Sequence, residues 1–290
     1  MDRRQFVNTS LLAALVNIVK GMTKEKHTKM TKPNKGKIVV IGAGAFGGWT
    51  AFHLLDRGYD VVLLDAFGPG NSRASSGGDS RVIRGIYGPD KIYVDLVSRS
   101  FRFWKTYQKK WHQSLYFPTG ALWFFQGDDT YAKKSLPLVN GAGLKAKEWP
   151  KSAIEKKYPQ VNLSDLITFY YEDEAGYLPA RHCCQVVLEQ FVNKGGKYKQ
   201  LAVQPGNIKN NQLEKLKLSD GSTISADSYI FACGPWLSEI FPEVLKDIIR
   251  PTRQEVFFFG TPYGDSRFFE SNMPVSVSYT HLTLPTNREV

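Results

Sequence analysis

Three sets of residues have the types and spacing that chemistry requires. The first is Gly42-Ala43-Gly44-Ala45-Phe46-Gly47. In such a run Gly42 allows a tight turn, Gly44 has no side chain to hold a pyrophosphate off the backbone, and Gly47 lets a helix and a strand approach. The second is Asp65, a carboxylate suited to bonding the ribose hydroxyls of an adenosine. The third is Arg81 and Arg84, two fixed cations three residues apart, preceded by the small residues Ser75, Ser76, Gly77 and Gly78. On a helical turn that spacing puts both guanidinium groups on one face.

These residues can act together only if the chain around them folds as strand, turn, helix and strand. Residues 38–41 are a short β-branched run, which predicts a buried parallel strand. Residues 45–56 follow with a helical pattern, and Gly58 closes it as a C-terminal glycine does. Residues 61–64 predict a second buried strand that ends at Asp65. The helix N-terminus then offers phosphates its unsatisfied N–H groups and partial positive charge. This order of elements predicts a dinucleotide site, and the acid disfavours a 2′-phosphate, leaving FAD or NAD. A nicotinamide domain usually continues with another helix and a third parallel strand. Here residues 66–88 are rich in Gly, Ser and Arg instead. An NAD-dependent dehydrogenase or a Rossmann binding module is the alternative reading.

The segment Ser75-Ser76-Gly77-Gly78-Asp79-Ser80-Arg81-Val82-Ile83-Arg84, closing on Tyr87-Gly88, together with the glycine fingerprint, resembles the FAD-dependent amino-acid oxidase family, in particular its sarcosine-oxidase-like branch. Thr119-Gly120-Ala121-Leu122 resembles that family's TG-x-L strand, and Gly176-Tyr177-Leu178 precedes a helix over residues 180–193 as in relatives. Leu201-Ala202-Val203 is similar to the strand whose valine contacts adenine. Ala232-Cys233-Gly234-Pro235-Trp236 resembles the element that returns the chain to the flavin, and Pro251-Thr252-Arg253-Gln254 the start of a substrate-domain strand. The resemblance implies an α/β (α+β two-domain) fold in which an FAD-binding Rossmann-like domain joins an antiparallel-sheet substrate domain. Residues 37–114 and 179–247 would form the FAD-binding parts, and residues 115–178 and 248–276 the substrate-domain parts. Local pattern adds a helix over residues 93–107, aromatic-rich strands at 115–125 and 257–259, and short strands across 201–230.

What the resemblance implies chemically is oxidation of the carbon–nitrogen bond of an amino acid or N-methyl amine. Hydride passes to flavin N5, the imine hydrolyses, and O2 or another electron carrier reoxidises the cofactor. The cofactor-binding residues implied are Gly42, Gly44, Ala45, Phe46, Gly47, Asp65, Ser75, Ser76, Arg81, Val203, Ala232, Gly234 and Trp236. Arg84 is implied to hold the substrate carboxylate with a guanidinium fork, and Arg81 to lie over the flavin and stabilise negative charge on the reduced ring. Gly77 stands where close relatives often have histidine. The cysteine that carries flavin covalently in the sarcosine-oxidase-like branch, and the lysine near flavin N5, are expected beyond residue 290, so a catalytically incomplete fragment is a further alternative.

The 290 residues are 42% hydrophobic and 22% charged, a globular balance that excludes a fibrous or wholly disordered chain. The net charge of +11 invites a nucleic-acid reading until it is located. Residues 1–37 hold nine basic and two acidic side chains, a charge of +7, which leaves +4 for the rest. The excess therefore points to targeting, and no nucleic-acid partner is expected. Asp2-Arg3-Arg4-Gln5-Phe6-Val7 precedes an apolar run over 11–19, too short for a membrane-spanning helix, and resembles a twin-arginine export signal. Residues 1–36 are accordingly expected to be leader and polar spacer, with a periplasmic destination and the cytoplasm as alternative. At the other end, the codons implied by residues 277–286 match a transposon end and linker used to fragment DNA for sequencing, so 277–290 is expected to be a non-native tail. The three cysteines exclude a disulfide framework, and adjacent Cys183 and Cys184 suit a buried helix better than a metal. His53 and His182 read as packing or surface residues.

Overall fold

The alternation of β-branched runs and helical patterns organises the observed architecture. A computed structural model describes residues 35–279 apart from 207, 210, 211 and 254, so the twin-arginine segment, Gln254 and the last eleven residues lie outside the described residues. The chain divides after Lys35, and the fold below belongs to the unit that begins at Gly36.

The first sheet grows from β1 (Lys37–Ile41), whose Val39 and Val40 are fully buried. Helix α1 (Ala45–Asp56) follows the glycine turn and returns the chain to β2 (Asp60–Leu64), parallel to β1. The chain then leaves this sheet. Residues 81–83 form the short strand β3 (Arg81–Ile83), followed by the long helix α2 (Lys91–Trp111). Val94, Val97, Ser98 and Phe101 give α2 one buried face at helical spacing, and His112 ends it in the left-handed conformation.

The second sheet contains β4 (Ala121–Phe125), β5 (Ala146–Glu148) and β6 (Thr168–Glu172), with helices α3 (Thr130–Gly141) and α4 (Lys151–Lys157) between them. All five residues of β4 are buried. Ala121, Trp123 and Phe125 enter one core, while Leu122 and Phe124 enter another, the two-residue period of a strand packed on both faces. Strand β7 (Gly176–Leu178) pairs antiparallel with β3 and leads into α5 (Ala180–Asn193), which lies close on α1: a Cβ on Gly48 would sit 3.3 Å from Val187.

From α5 the chain rejoins the first sheet at β8 (Lys197–Lys199). A run of small strands follows: β9 (Val203–Pro205), β10 (Ile208–Lys209), β11 (Gln212–Leu213), β12 (Leu216–Leu218) and β13 (Thr223–Ile224). Then β14 (Ser228–Phe231) pairs parallel with β1. The order β14-β1-β2-β8 is parallel throughout, and connections leave β1 in both directions, so the crevice beyond its C-terminal end is a topological switch point. Finally β15 (Val275–Tyr279), which includes the first residues of the expected tail, lies along β4.

Five expectations change. Arg81 lies in a strand and Arg84 directly follows it, because β3 pairs with β7, so they share no helical face. The second sheet is antiparallel across β4, β6 and β5, but its edge pair β15–β4 is parallel. Within residues 115–125 only 121–125 are strand, preceded by a single bridge from Phe117 to Tyr177. Phe257, Phe258 and Phe259 form no strand and are 70–87% exposed. No described strand lies alongside them to complete a ladder, and β-propensity alone does not hold a strand. Likewise residues 251–253 are irregular.

Candidate functional site: the crevice at the end of the parallel sheet

The glycine turn is dictated by backbone contacts. Gly42 has φ +104°, and a Cβ there would lie 2.3 Å from the carbonyl oxygen of Ala232 at the end of β14. A Cβ on Gly47 would lie 1.7 Å from the carbonyl oxygen of Gly42. Neither position can carry a side chain. Gly44 differs: a Cβ there would meet only Ser76 Oγ, at an ordinary 3.5 Å. Folding does not demand glycine at 44, so the space in front of it is a cradle that a side chain would fill. Gly44 is also the N-cap of α1, and the first turn carries no acidic residue to compete for an anion.

Asp65 ties the crevice together. Its Oδ2 accepts from the Ala43 N–H at 2.7 Å, and its Oδ1 accepts from the N–H groups of Phe67 and Gly68 at 2.8 and 2.7 Å. A carboxylate has about four acceptor sites, so capacity for a ribose hydroxyl is left after these three bonds. Ser76 Oγ accepts from the Ala45 N–H at 3.2 Å, which brings the 75–76 segment over the helix start.

A cavity of about 210 Å³ opens there, lined by Gly44, Ala45, Ser75, Ser76 and Arg81 on its polar side. Trp49, Trp104, Leu178, Cys183, Cys184 and Val187 form its apolar wall. Sequence reasoning named the polar residues and missed the wall. Trp49 and Trp104 come from different helices with no spacing relation, and only their shared cluster with Trp111 and Phe52 unites them. Arg81 Nε donates to the carbonyl oxygen of Ser75 at 3.1 Å, and its Nη2 donates to the same atom.

The other predicted residues border this cavity or lie apart. Phe46 is 86% exposed at the start of α1. The Ala232 N–H donates to the carbonyl oxygen of Ile41 at 2.7 Å, continuing the parallel ladder to the glycine turn. Gly234 begins a single 3₁₀ turn, and Trp236 in that turn packs 5.4 Å from the ring of Phe67. Val203 and Trp236 belong to the apolar cluster under β12 and β14 and do not line the cavity. Arg84 stands in its own aromatic setting, 4.4 Å from the ring centre of Tyr87 and 5.0 Å from that of Trp123, with Nη1 donating to the carbonyl oxygen of Ile86 at 2.8 Å.

The titratable groups divide into packing and site. Burial pushes the Cys183 and Cys233 thiols up to about 12, and raises Cys184 as well. His53 stacks on Trp49 and is lowered by burial, and His182 is exposed. Among the described residues no cluster of His, Cys, Asp and Glu is placed to hold a metal, and no helix is long and apolar enough to cross a membrane.

Parallel strand ends, a helix N-terminus, an open cradle at Gly44 and a carboxylate at the end of β2 together fit a dinucleotide. Comparison with known proteins agrees. The family model described as FAD dependent oxidoreductase matches residues 37–287. The chain is 28% identical over 225 residues to a monomeric sarcosine oxidase of Bacillus sp. (strain B-0618), covering 77% of this chain and 57% of that protein. It is 22% identical over 236 residues to an N-methyl-L-tryptophan oxidase of Yersinia pestis (strain Pestoides F), covering 81% and 62%. It thus spans about three fifths of the length of these curated relatives. A solved L-proline dehydrogenase from P. horikoshii shares the fold with a TM-score of 0.66 at 21% identity, over 85% of this chain and 65% of that one.

Proposed function

The chain belongs to the FAD dependent oxidoreductase family, and from that premise we propose that it oxidises the carbon–nitrogen bond of an N-methyl amino acid or amino acid. The observation that carries this reading is the cavity in front of Gly44, lined by both the fingerprint turn and Arg81. A dinucleotide end and a cationic end thereby belong to one site. When bound, FAD supplies the two-electron redox chemistry, and the protein supplies position and field.

Gly44 opens the cradle in which the first turn of α1 meets the pyrophosphate, Gly42 and Gly47 shape the turn around it, and Asp65 takes the ribose. Ser75 and Ser76 border the same path. Arg81, held by the Ser75 carbonyl, puts a fixed positive charge at the cavity wall, where it favours negative charge on a reduced ring. Arg84 gives one donor to the Ile86 carbonyl and another to the Tyr131 hydroxyl, and its guanidinium keeps enough for a bidentate grip on a substrate carboxylate. The apolar wall of Trp49, Trp104 and Leu178 excludes water from that side. The names of the relatives support a small N-methyl amino acid as the substrate class. O2 or an electron carrier accepts the electrons.

The test is direct. The purified protein should show the visible absorption bands of a flavin, release FAD on acid treatment, and bleach under anaerobic conditions with sarcosine or another N-methyl amino acid. Peroxide release under air then identifies an oxidase, and its absence a dehydrogenase. Failure both to retain flavin and to bind added FAD would overturn the reading.

For residues 1–36 the reading is twin-arginine export to the periplasm, supported by the order of Arg3-Arg4, Phe6 and the apolar run at 11–19. Fused to a folded reporter, this leader should carry it across the inner membrane. Replacing both arginines with lysine should keep the reporter in the cytoplasm.

A further inference from the structure

We propose that Glu172 is the positioning residue that sets the Arg84 guanidinium for a substrate carboxylate; this rests on the reading of Arg84 given above. Glu172 ends β6 and is only 2% exposed. Its neighbours across the sheet are Ala121 on β4 and Ala146 on β5, two small residues that leave space for its side chain. Its Oε1 accepts from Trp123 Nε1 at 2.7 Å, and its Oε2 accepts from the Gly85 N–H. The Ile86 N–H also bonds to it.

Those partners are the immediate surroundings of Arg84. Gly85 and Ile86 are the two peptides that follow Arg84, and Ile86 returns its carbonyl oxygen to Arg84 Nη1. Trp123 presents its ring 5.0 Å from the Arg84 guanidinium carbon. One buried carboxylate therefore fixes both the backbone that carries the arginine and a ring against which its cation rests. The approach is close: a Cβ on Gly85 would lie 2.9 Å from Glu172 Oε2.

A carboxylate suits this place better than an amide. Both oxygens face N–H donors, and an amide would turn its NH₂ toward one of them. The arrangement also costs stability. Burial drives the Glu172 pKa up, opposed by the Gly85, Trp123 and Ile86 hydrogen bonds and by the Arg84 charge. An apolar residue of similar volume would be cheaper to bury. Carrying that cost beside Arg84 is consistent with a positioning role, because removing one partner would leave the other's donors or charge unmatched.

The experiment is a double-mutant cycle on the flavin-loaded protein, with acetate as the carboxylate probe and the visible flavin spectrum as the readout. Glu172→Gln should retain FAD and weaken acetate binding about tenfold, the size expected for loss of charged hydrogen bonds. Arg84→Ala should weaken it further, and the double variant should be no weaker than Arg84→Ala alone, because Glu172 acts only through Arg84. Trp123→Phe, which removes one donor to the same carboxylate, provides a second reading: it should weaken acetate binding about threefold, and only when Arg84 is present. The positioning role is overturned if Glu172→Gln leaves acetate affinity unchanged, or weakens it equally with and without Arg84. If Glu172→Gln does not fold, an unchanged acetate affinity in Trp123→Phe overturns it instead. Should Arg84→Ala alone leave acetate affinity unchanged, the carboxylate-binding reading of Arg84 falls and the role of Glu172 falls with it.

Discussion

The glycine turn at 42–47 reaches the cavity through Gly44 and Ala45, and the arginine strand at 81–84 reaches it through Arg81, yet the two are built by different physics. The turn is made of backbone. Gly42 and Gly47 are required because main-chain atoms occupy the space of a side chain, while Gly44 faces the cavity. Six consecutive residues and the strand and helix beside them define it. The arginine strand is made of side chains held by distant partners. Arg81 depends on the Ser75 carbonyl, and Arg84 on Tyr87, Trp123 and Ile86, with Glu172 behind them from β6. A backbone-built site tolerates almost no change within itself and little influence from outside. A side-chain-built site can be altered from far along the chain.

The largest expected effect breaks the turn into two classes of glycine. Gly47→Ala forces a Cβ to 1.7 Å from a carbonyl oxygen, and it should destabilise the protein by about 3 kcal/mol or more. Thermal unfolding without FAD should register it. Gly44→Val should leave that melting curve nearly unchanged while reducing FAD affinity at least tenfold, or about 1.4 kcal/mol. Equal loss of stability in both variants would show that Gly44 serves the fold and not the ligand.

Legibility in the sequence follows the same division. Strands β1 and β2 and helix α1 occupy the residues that periodicity and glycine punctuation predict, because each element's pattern is local, and α5 occupies the residues that the family resemblance implies. The glycines and Asp65 are legible for the same reason. Arg81 and Arg84 are recognisable as cations, but their spacing suggested a helical face. Pairing with β7, some 95 residues away, makes the segment a strand, and no local signal carries that pairing. Glu172 reads as an ordinary acid after an aromatic run, with no spacing relation to Arg84. Trp49 and Trp104 resemble core residues in sequence and become the cavity wall only when α1 and α2 meet. Residues 257–259 failed in the opposite direction, since an aromatic run without a neighbouring strand forms no sheet.

A middle-sized effect sharpens the contrast by testing the side chain within the turn's own territory. Asp65→Asn keeps one carbonyl oxygen but turns an NH₂ toward a backbone donor. Because three N–H groups rely on this carboxylate, the change should cost about 2 kcal/mol in chemical denaturation and also weaken FAD binding. Arg81→Lys should have a smaller effect. A lysine cannot repeat the two-nitrogen grip on the Ser75 carbonyl, so flavin retention should fall a few-fold while the melting temperature stays nearly constant. If Arg81→Lys unfolds the protein as readily as Gly47→Ala, the two regions are not built differently.

The smallest effect lies in the cysteines, which link the crevice to the core. Cys183 and Cys233 are pushed up to about 12 by burial, from an ordinary 9.0, so the folded protein keeps protons that the unfolded chain releases near 9. Their contribution to stability is complete below that value and declines as pH rises from about 9 toward about 12. Urea midpoints should therefore be insensitive to these groups between pH 7 and 8.5, and fall progressively above pH 9. At pH 8 the native thiols should resist a chromogenic disulfide reagent that counts three thiols after denaturation. Cys183 and Cys184 both line the cavity, and of the three cysteines Cys184 also interacts with Ser76. FAD should slow its residual reaction further, whereas Arg84→Lys should leave the rate unchanged, because Arg84 lies outside the cavity lining. A rate that answers to Arg84 and ignores FAD would invert the assignment of the two regions.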